Sequence, residues 1–309
     1  MVLSSTKIAI CTRLSLLILM STQLGYSAEL KPETLTAWNA YIAQENAQVK
    51  LRAANEKGFF WTDAEPDRYK EIRNGEAVVQ PMGEHNPLRV NGGLIHHWIS
   101  AVFIPNAHID DILAITRDYT HYKDYYKPGV ADASTLTRSD DRDEFTIRFV
   151  NPSVLSKSSL QGNYVSEFYR PVPRRFYSTS MTTSMCEIKN FGCPNEKRLP
   201  LDQGSGYIWR LYSTARMEER DGGVLLEMEA IALSRDIPVA LRWFVDPIVR
   251  RVSRESIEKS LKDTATAVRG RLDACEAQAV NQTMGEGNCS QHAGDSDLRA
   301  QRLTGNAGR

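Results

Sequence analysis

Residues 209–234 read WRLYSTARMEERDGGVLLEMEAIALS, two β-rich runs on either side of Asp221-Gly222. An Asp-Gly pair between such runs is a strong two-residue hairpin signal, because both central positions of the favoured turn need positive φ. With Asp221 and Gly222 at the centre, Trp209 falls opposite Ser234, Leu211 opposite Ala232, Ser213 opposite Ala230, Ala215 opposite Met228 and Met217 opposite Leu226. Every member of this set is apolar or small. The alternate set pairs Arg216 with Glu227 and Thr214 with Glu229, setting opposite charges across the strands. A shift of one residue would mix the two sets, so the register is well specified, with the apolar face expected to be buried and the charged face wet.

Working outward, residues 94–104 are rich in β-branched and aromatic side chains and stop at Pro105, which predicts a strand. Ile109, Ile112, Leu113 and Ile115 then form a helical stripe, and a second short helix carries Tyr119, Tyr122, Tyr125 and Tyr126. Further strands are predicted at about 131–138, 143–150, 159–170 and 174–185. After the hairpin, Arg235-Asp-Ile-Pro238 leads into a long helix to about Leu272, with a stripe of Leu241, Phe244, Val245, Ile248 and Val252 resumed at Ile257, Leu261, Ala265, Val268 and Leu272. Pro247 is expected to kink or divide it. Ahead of this domain, Leu35, Trp38, Ile42, Val49 and Leu51 predict one or two helices, followed by an irregular lead-in with a β-like run at 77–82. The division is therefore 1–27 leader, 28–92 N-terminal helical and irregular extension, 93–274 main α+β domain, and 275–309 a polar, aromatic-free mobile tail.

The first 27 residues carry Lys7 and Arg13, then the apolar run Leu14 to Met20, then small and polar residues to Ser27, the order of a secretory signal peptide. The run is short of the roughly 20 residues that span a bilayer. Export to the periplasm or beyond is the expectation, with cleavage after Ser27. The whole chain balances 38 basic against 38 acidic residues. Loss of Lys7 and Arg13 leaves 36 against 38, so no global field draws it to nucleic acid. Four cysteines then remain, Cys186, Cys193, Cys275 and Cys289, an even number that in an exported chain predicts disulfides. The close pair Cys186 and Cys193 would pin a loop, worth about 2–3 kcal/mol on the chain-entropy estimate. Their spacing is not that of a structural zinc site, and no metal or other cofactor is expected.

Three stretches, residues 93–105 (GLIHHWISAVFIP), the aromatic helix at Tyr119 to Tyr126, and Leu233-Ser-Arg-Asp-Ile-Pro238 entering the Trp243 helix, resemble the START-like helix-grip superfamily of lipid-transfer proteins, plant hydrophobic-ligand carriers and polyketide cyclases. The match spans about 94–270 and points to an exported bacterial branch. The resemblance implies an α+β fold in which a curved antiparallel sheet grips the long C-terminal helix and leaves a cavity between them. Its lining would come from Trp209, Leu211, Ala215, Met228 and Ala230 on the hairpin and from Leu241, Phe244, Val245 and Ile248 on the helix. An apolar tail burying ~300 Å² there gains about 7 kcal/mol before ordering costs. The same side chains would equally fill a solid core. His96 and His97 are adjacent on one strand, so they point to opposite faces and cannot chelate one metal together. The inward one, assigned as His97, offers a polar group to a ligand head. Trp243 is assigned to the mouth of the cavity, where it could touch a membrane, against the alternative that it packs on residues 32–61.

No GxSxG, HExxH, P-loop or phosphate-binding GxGxxG is present, and no catalytic residue is nominated. The expected function is binding, transport or sensing of a hydrophobic lipid-like molecule. The alternatives are a cyclase or hydrolase working in the same cavity, and an exported interaction module with a filled core.

Overall fold

The computed structural model describes residues 28–55, 58–150 and 158–303. The leader expected at 1–27 lies outside the described residues.

In chain order the elements are α1 (Pro32–Ala53), α2 (Pro66–Arg73), β1 (Val78–Pro81), β2 (Leu88–Val90), β3 (Gly93–Pro105), α3 (Ile109–Thr116), α4 (Tyr122–Tyr125), β4 (Val130–Arg138), β5 (Arg142–Val150), β6 (Ser159–Val172), β7 (Arg175–Lys189), β8 (Arg210–Arg220), β9 (Gly223–Arg235) and α5 (Arg242–Leu303). The strands form one antiparallel sheet of ten, in the order β1-β3-β9-β8-β7-β6-β5-β4, with β2 also on β3 and a two-residue strand at Lys197–Arg198 on β7. The first long strand thus pairs with the last, so the chain returns to its starting edge before α5 crosses the sheet. The element order is the one that the sequence predicts, and the sheet and helix take the helix-grip arrangement that the resemblance implies.

The hairpin of β8 and β9 has the expected register, with Leu211 opposite Ala232, Ala215 opposite Met228 and Arg216 opposite Glu227. Asp221 and Gly222 both have positive φ, 52° and 78°, which is what a two-residue turn of this type requires. Register alternation assigns the other strands to the same two faces. One face carries His96, Trp98, Ser100 and Val102 of β3 beside Ala232, Ala230, Met228 and Leu226 of β9. The other carries His97, Ile99 and Ala101 beside Ile231, Glu229 and Glu227.

The expectation of a wet charged face is overturned. Thr214, Arg216, Glu227 and Glu229 are all buried, and Arg216 is only 1% exposed. α1 and residues 59–62 cover this outer face, closing a core of Trp38, Ile42, Ile95, Trp209, Tyr212, Ile231 and Leu233 and a second one around Val49, Phe59, Phe60, Ile72 and Phe103. Trp209 therefore sits in the outer core, not in the inner lining. The charges are tolerated because they pair with one another: Arg216 Nε and Nη2 donate to Glu227 Oε1 at 2.9 and 2.7 Å, and Nη2 also donates to Glu229 Oε1, with Nη1 alone left without a partner among the described residues. Alternation alone cannot separate a solvated face from one whose charges are paired beneath a helix.

On the inner face, α5 buries Ile257, Leu261, Ala265 and Val268 against Ile112, Ile115, Phe176, Met217 and Leu226. It runs without interruption from Arg242 to Leu303 with Pro247 inside, and so continues through the segment expected to be a tail. Pro247 lies in the second turn, where it removes one helical hydrogen bond, to the Trp243 carbonyl, and the helix carries on past it. The Cys186–Cys193 link is also not formed. Cys186 is a buried thiol donating to the Leu199 carbonyl at 3.0 Å, while Cys275 is an exposed free thiol on α5 and Cys289 lies among side chains outside the described set.

Replacing Arg216 with Ala strands two buried carboxylates, and the expected loss is about 3–5 kcal/mol in urea unfolding. Arg216→Lys keeps the charge without the fork and should lose less. Equal losses from the two variants would show that a positive charge without the guanidinium fork contributes nothing at this site.

Candidate ligand site

Where the sheet faces the start of α5, the floor is made of small residues. Ser180, Ser213 and Ala230 lie in one cross-strand row and Ser178, Ala215 and Met228 in the next, with Leu211 and Ala232 beyond. All are half-buried, whereas the same strands become fully buried at Phe176, Met217 and Leu226. α5 shows the same gradient, with Val245, Val249 and Val252 half-buried in its first turns and Ile257 onward fully buried. Half-exposed apolar side chains on facing surfaces mean that solvent still enters between them, so the interior is not a solid core along its whole length.

The other walls are aromatic. Tyr119 stacks on Phe145 at 4.0 Å between ring centres, and Phe145 stacks on Tyr164 at 5.2 Å. Tyr122, Tyr126 and Leu211 pack on this cluster. Tyr126 and Thr264 share a 3.0 Å hydroxyl contact that ties α4 to α5. Gly162 is required beneath Tyr164, since a Cβ there would lie 2.7 Å from its ring and 2.8 Å from Met185 Sδ. Asp143 closes the far end, fully buried, accepting from Arg117 Nε and Nη2 at 2.9 and 2.7 Å and from the Tyr119 hydroxyl at 2.9 Å.

Of the sequence-nominated positions, Leu211, Ala215, Met228 and Ala230 come together on this floor, and Val245 is half-buried above it. Leu241 is half-buried before α5 begins, and Ile248 is 49% exposed. The Phe244 side chain lies outside the described set. Trp243 is 79% exposed, which excludes its packing on residues 32–61. His97 sits on the outer face, and the inward histidine is His96, whose Nε2 lies 2.9 Å from Ser234 Oγ. Adjacency settles that the pair diverges, but only the pairing of β3 with β9 settles which one enters. Sequence reading missed Trp98, Ser100 and Tyr164, whose places on the inner face follow from strand parity once the register is known.

The outer face holds a different cluster. Tyr41 donates to His97 Nδ1 at 2.8 Å, leaving Nε2–H to donate to Glu229 Oε2 at 3.3 Å. Burial pushes the Tyr41 hydroxyl up to about 12, so it stays a donor. Burial alone would raise the Glu229 carboxyl, but Arg216 and His97 hold it below the ordinary carboxylate range. Glu45, His97 and Glu229 bring one ligand atom each within 4.8 Å of one another, a donor set that could hold a cation. Arg52 and Arg216 already occupy Glu229 Oε1, and a metal there would face both guanidinium groups. The hydrogen bonds account for the cluster without one.

Two clefts lie elsewhere. One of about 490 Å³ opens to solvent between α3 and the β4–β5 turn, lined by Leu113, Arg117, Asp118, Arg138 and Asp140. Another of about 170 Å³ lies on the outer face beside Asn46, Lys50, Tyr169 and Tyr177. Neither includes a residue of the inner floor, and in the larger one Arg117 is committed to Asp143.

Several solved structures align with part of the chain. A STAR-related lipid transfer protein from Xanthomonas axonopodis aligns with 18% identity over 62% of this chain and 93% of its own, with a TM-score of 0.44. Human STARD10 aligns at 10% identity over 70% and 84%, with a TM-score of 0.41. The Zhui aromatase/cyclase from Streptomyces sp. R1128 aligns at 10% identity over 58% and 96%, with a TM-score of 0.38. No family model and no curated protein sequence matches the chain.

Burial holds the His96 imidazole down to about 4, against the opposing pull of Asp246. In the unfolded chain a histidine takes up its proton near 6.5. Between these values the unfolded state binds more protons, so stability is complete above about pH 6.5 and falls as pH drops towards about 4, by about 3 kcal/mol at most. Comparing urea unfolding at about pH 7.5 and about pH 4.5, His96→Gln should narrow the difference seen in the parent chain. An unaltered difference would mean that His96 is not a buried neutral group.

Proposed function

We propose that this chain is exported and binds a hydrophobic, lipid-like small molecule between the inner face of its sheet and the first turns of α5. The observation that carries the reading is the floor of small, half-buried residues, Ser178, Ser180, Ser213, Ala215 and Ala230, in the centre of the sheet and flanked by fully buried large side chains. A sheet with nothing to accommodate would fill that position with large side chains, as it does a few residues away at Phe176 and Met217. The apolar run and flanking residues of the leader support export.

Membrane contact at the mouth belongs to the same reading. Val239, Trp243 and Ile248 are exposed within ten residues, and exposed Arg250, Arg251 and Arg254 follow on the same helix. Exposed apolar groups beside positive charge suit an anionic bilayer surface, where an apolar cargo could enter or leave without crossing water.

Solvent extraction and native mass spectrometry of protein purified from its own host should recover an apolar compound in stoichiometric amount. Ala215→Trp or Ala230→Trp should abolish its recovery while leaving the fold intact by circular dichroism. Full occupancy in both variants would exclude the floor as the binding surface. Separately, Trp243→Ala should weaken sedimentation with phosphatidylglycerol vesicles several-fold. Equal sedimentation of the variant and parent chain would remove the membrane contact.

A further inference from the structure

Three polar side chains on the inner face have no hydrogen-bond partner among the described residues: Trp98 Nε1, Ser100 Oγ and Tyr164 OH. Trp98 is 8% exposed, Ser100 0% and Tyr164 7%, so bulk solvent does not reach these polar atoms. A buried polar group left in this way costs about as much as a lost hydrogen bond, and these three of the nine such atoms among the described residues share the inner face of the sheet.

Their positions relate them to the floor. Trp98 lies in the row of Ala230, Ser213 and Ser180, and Ser100 in the row of Met228, Ala215 and Ser178. Tyr164 faces the same side from β6, four strands from β3, about 19 Å across a flat sheet and less across a curved one. All three can donate, and the indole can only donate. Around the floor, on β3, β9, residues 211–217 of β8 and residues 176–182 of β7, this face carries no Lys, Arg, Asp or Glu and one ionisable group, His96, already bonded to Ser234; the carboxylate that β8 does place on this face, Glu219, stands at its far end and accepts from the Ile109 amide. The arginines of these strands are spent elsewhere, Arg216 on the outer face and Arg210 on Asp202.

From this we infer that the ligand is a neutral apolar molecule bearing carbonyl or ester oxygens, which accept from Trp98 and Ser100 on one side of the trough and from Tyr164 on the other. A carboxylate or phosphate head would enter without a cationic partner and lose its hydration, a cost that neutral donors offset poorly. A plain hydrocarbon would leave the three donors as they are. The assignment rests on the binding function proposed above.

The test uses the full chain with Nile red as a neutral reporter, displaced by three competitors of equal chain length: hexadecane, methyl hexadecanoate and hexadecanoate. The ester should displace the dye at the lowest concentration and the carboxylate at the highest. Trp98→Phe and Ser100→Ala should each weaken the ester by about 3- to 10-fold, the span of one hydrogen bond, and leave hexadecane unchanged. Hexadecane serves as the control for altered packing. If the carboxylate competes as well as the ester, or if the variants do not separate ester from alkane, the neutral-acceptor assignment is wrong while the binding function stands. If Nile red does not bind and none of the three perturbs the protein, both fall together.

Discussion

The pairing of Arg216 with Glu227 and Glu229 is the constraint on which the rest of the molecule depends. It places three charges in the interior of the sheet at adjacent positions of β8 and β9 and demands that something cover them. α1 and the residues after it do so, adding Arg52 to Glu229 and the backbone amides of Trp61 and Thr62 to Glu227. The N-terminal extension is therefore half of the outer core and not an appendage. A sheet in this class can leave one side to water; here the ionic cluster removes that option from the outer side.

With the outer face closed in this way, the inner face is the one free to vary in volume. α5 packs tightly only from Ile257 onward, where large side chains rise from the sheet to meet it. Towards its start the sheet offers serine and alanine, and the helix offers valines that stay half-exposed. Tight packing at one end and small residues at the other let a single helix both anchor the sheet and stand clear of it. The aromatic ladder of Tyr119, Phe145 and Tyr164, fixed by Asp143 and Arg117 at its end and by Gly162 beneath, gives the trough one stiff wall.

Much of this was legible in the residues, and what was not has a physical cause. The Asp221-Gly222 turn fixes the register of β8 and β9 because one dipeptide dictates backbone sign, and strand parity then carries that register across the sheet. Leu211, Ala215, Met228 and Ala230 share a face for that reason alone. The outer face was misread because Arg216 opposite Glu227 has the same pattern whether water or a helix lies above it. Trp209 was misplaced because it precedes β8, where parity no longer holds. His97 was chosen over His96 because the pairing of β3 with β9 joins residues more than 100 positions apart and leaves no local signal. The helix beyond Cys275 has no apolar stripe, so a periodicity argument had nothing to detect.

The chemistry of the inner face narrows the candidates further than its shape does. An apolar trough selects by size and gives about the same return for any greasy chain. Selectivity comes from polar groups that a wrong ligand leaves unpaired. Here those groups are donors without a formal charge, set around a floor that holds no charged side chain, while every buried guanidinium of β8 is turned to a carboxylate elsewhere. The same division of labour explains how the protein holds the Arg216, Glu227 and Glu229 cluster without charging the floor: the sheet separates them, with those ions on the side that holds the fold together and the uncharged donors on the side that has room for a guest.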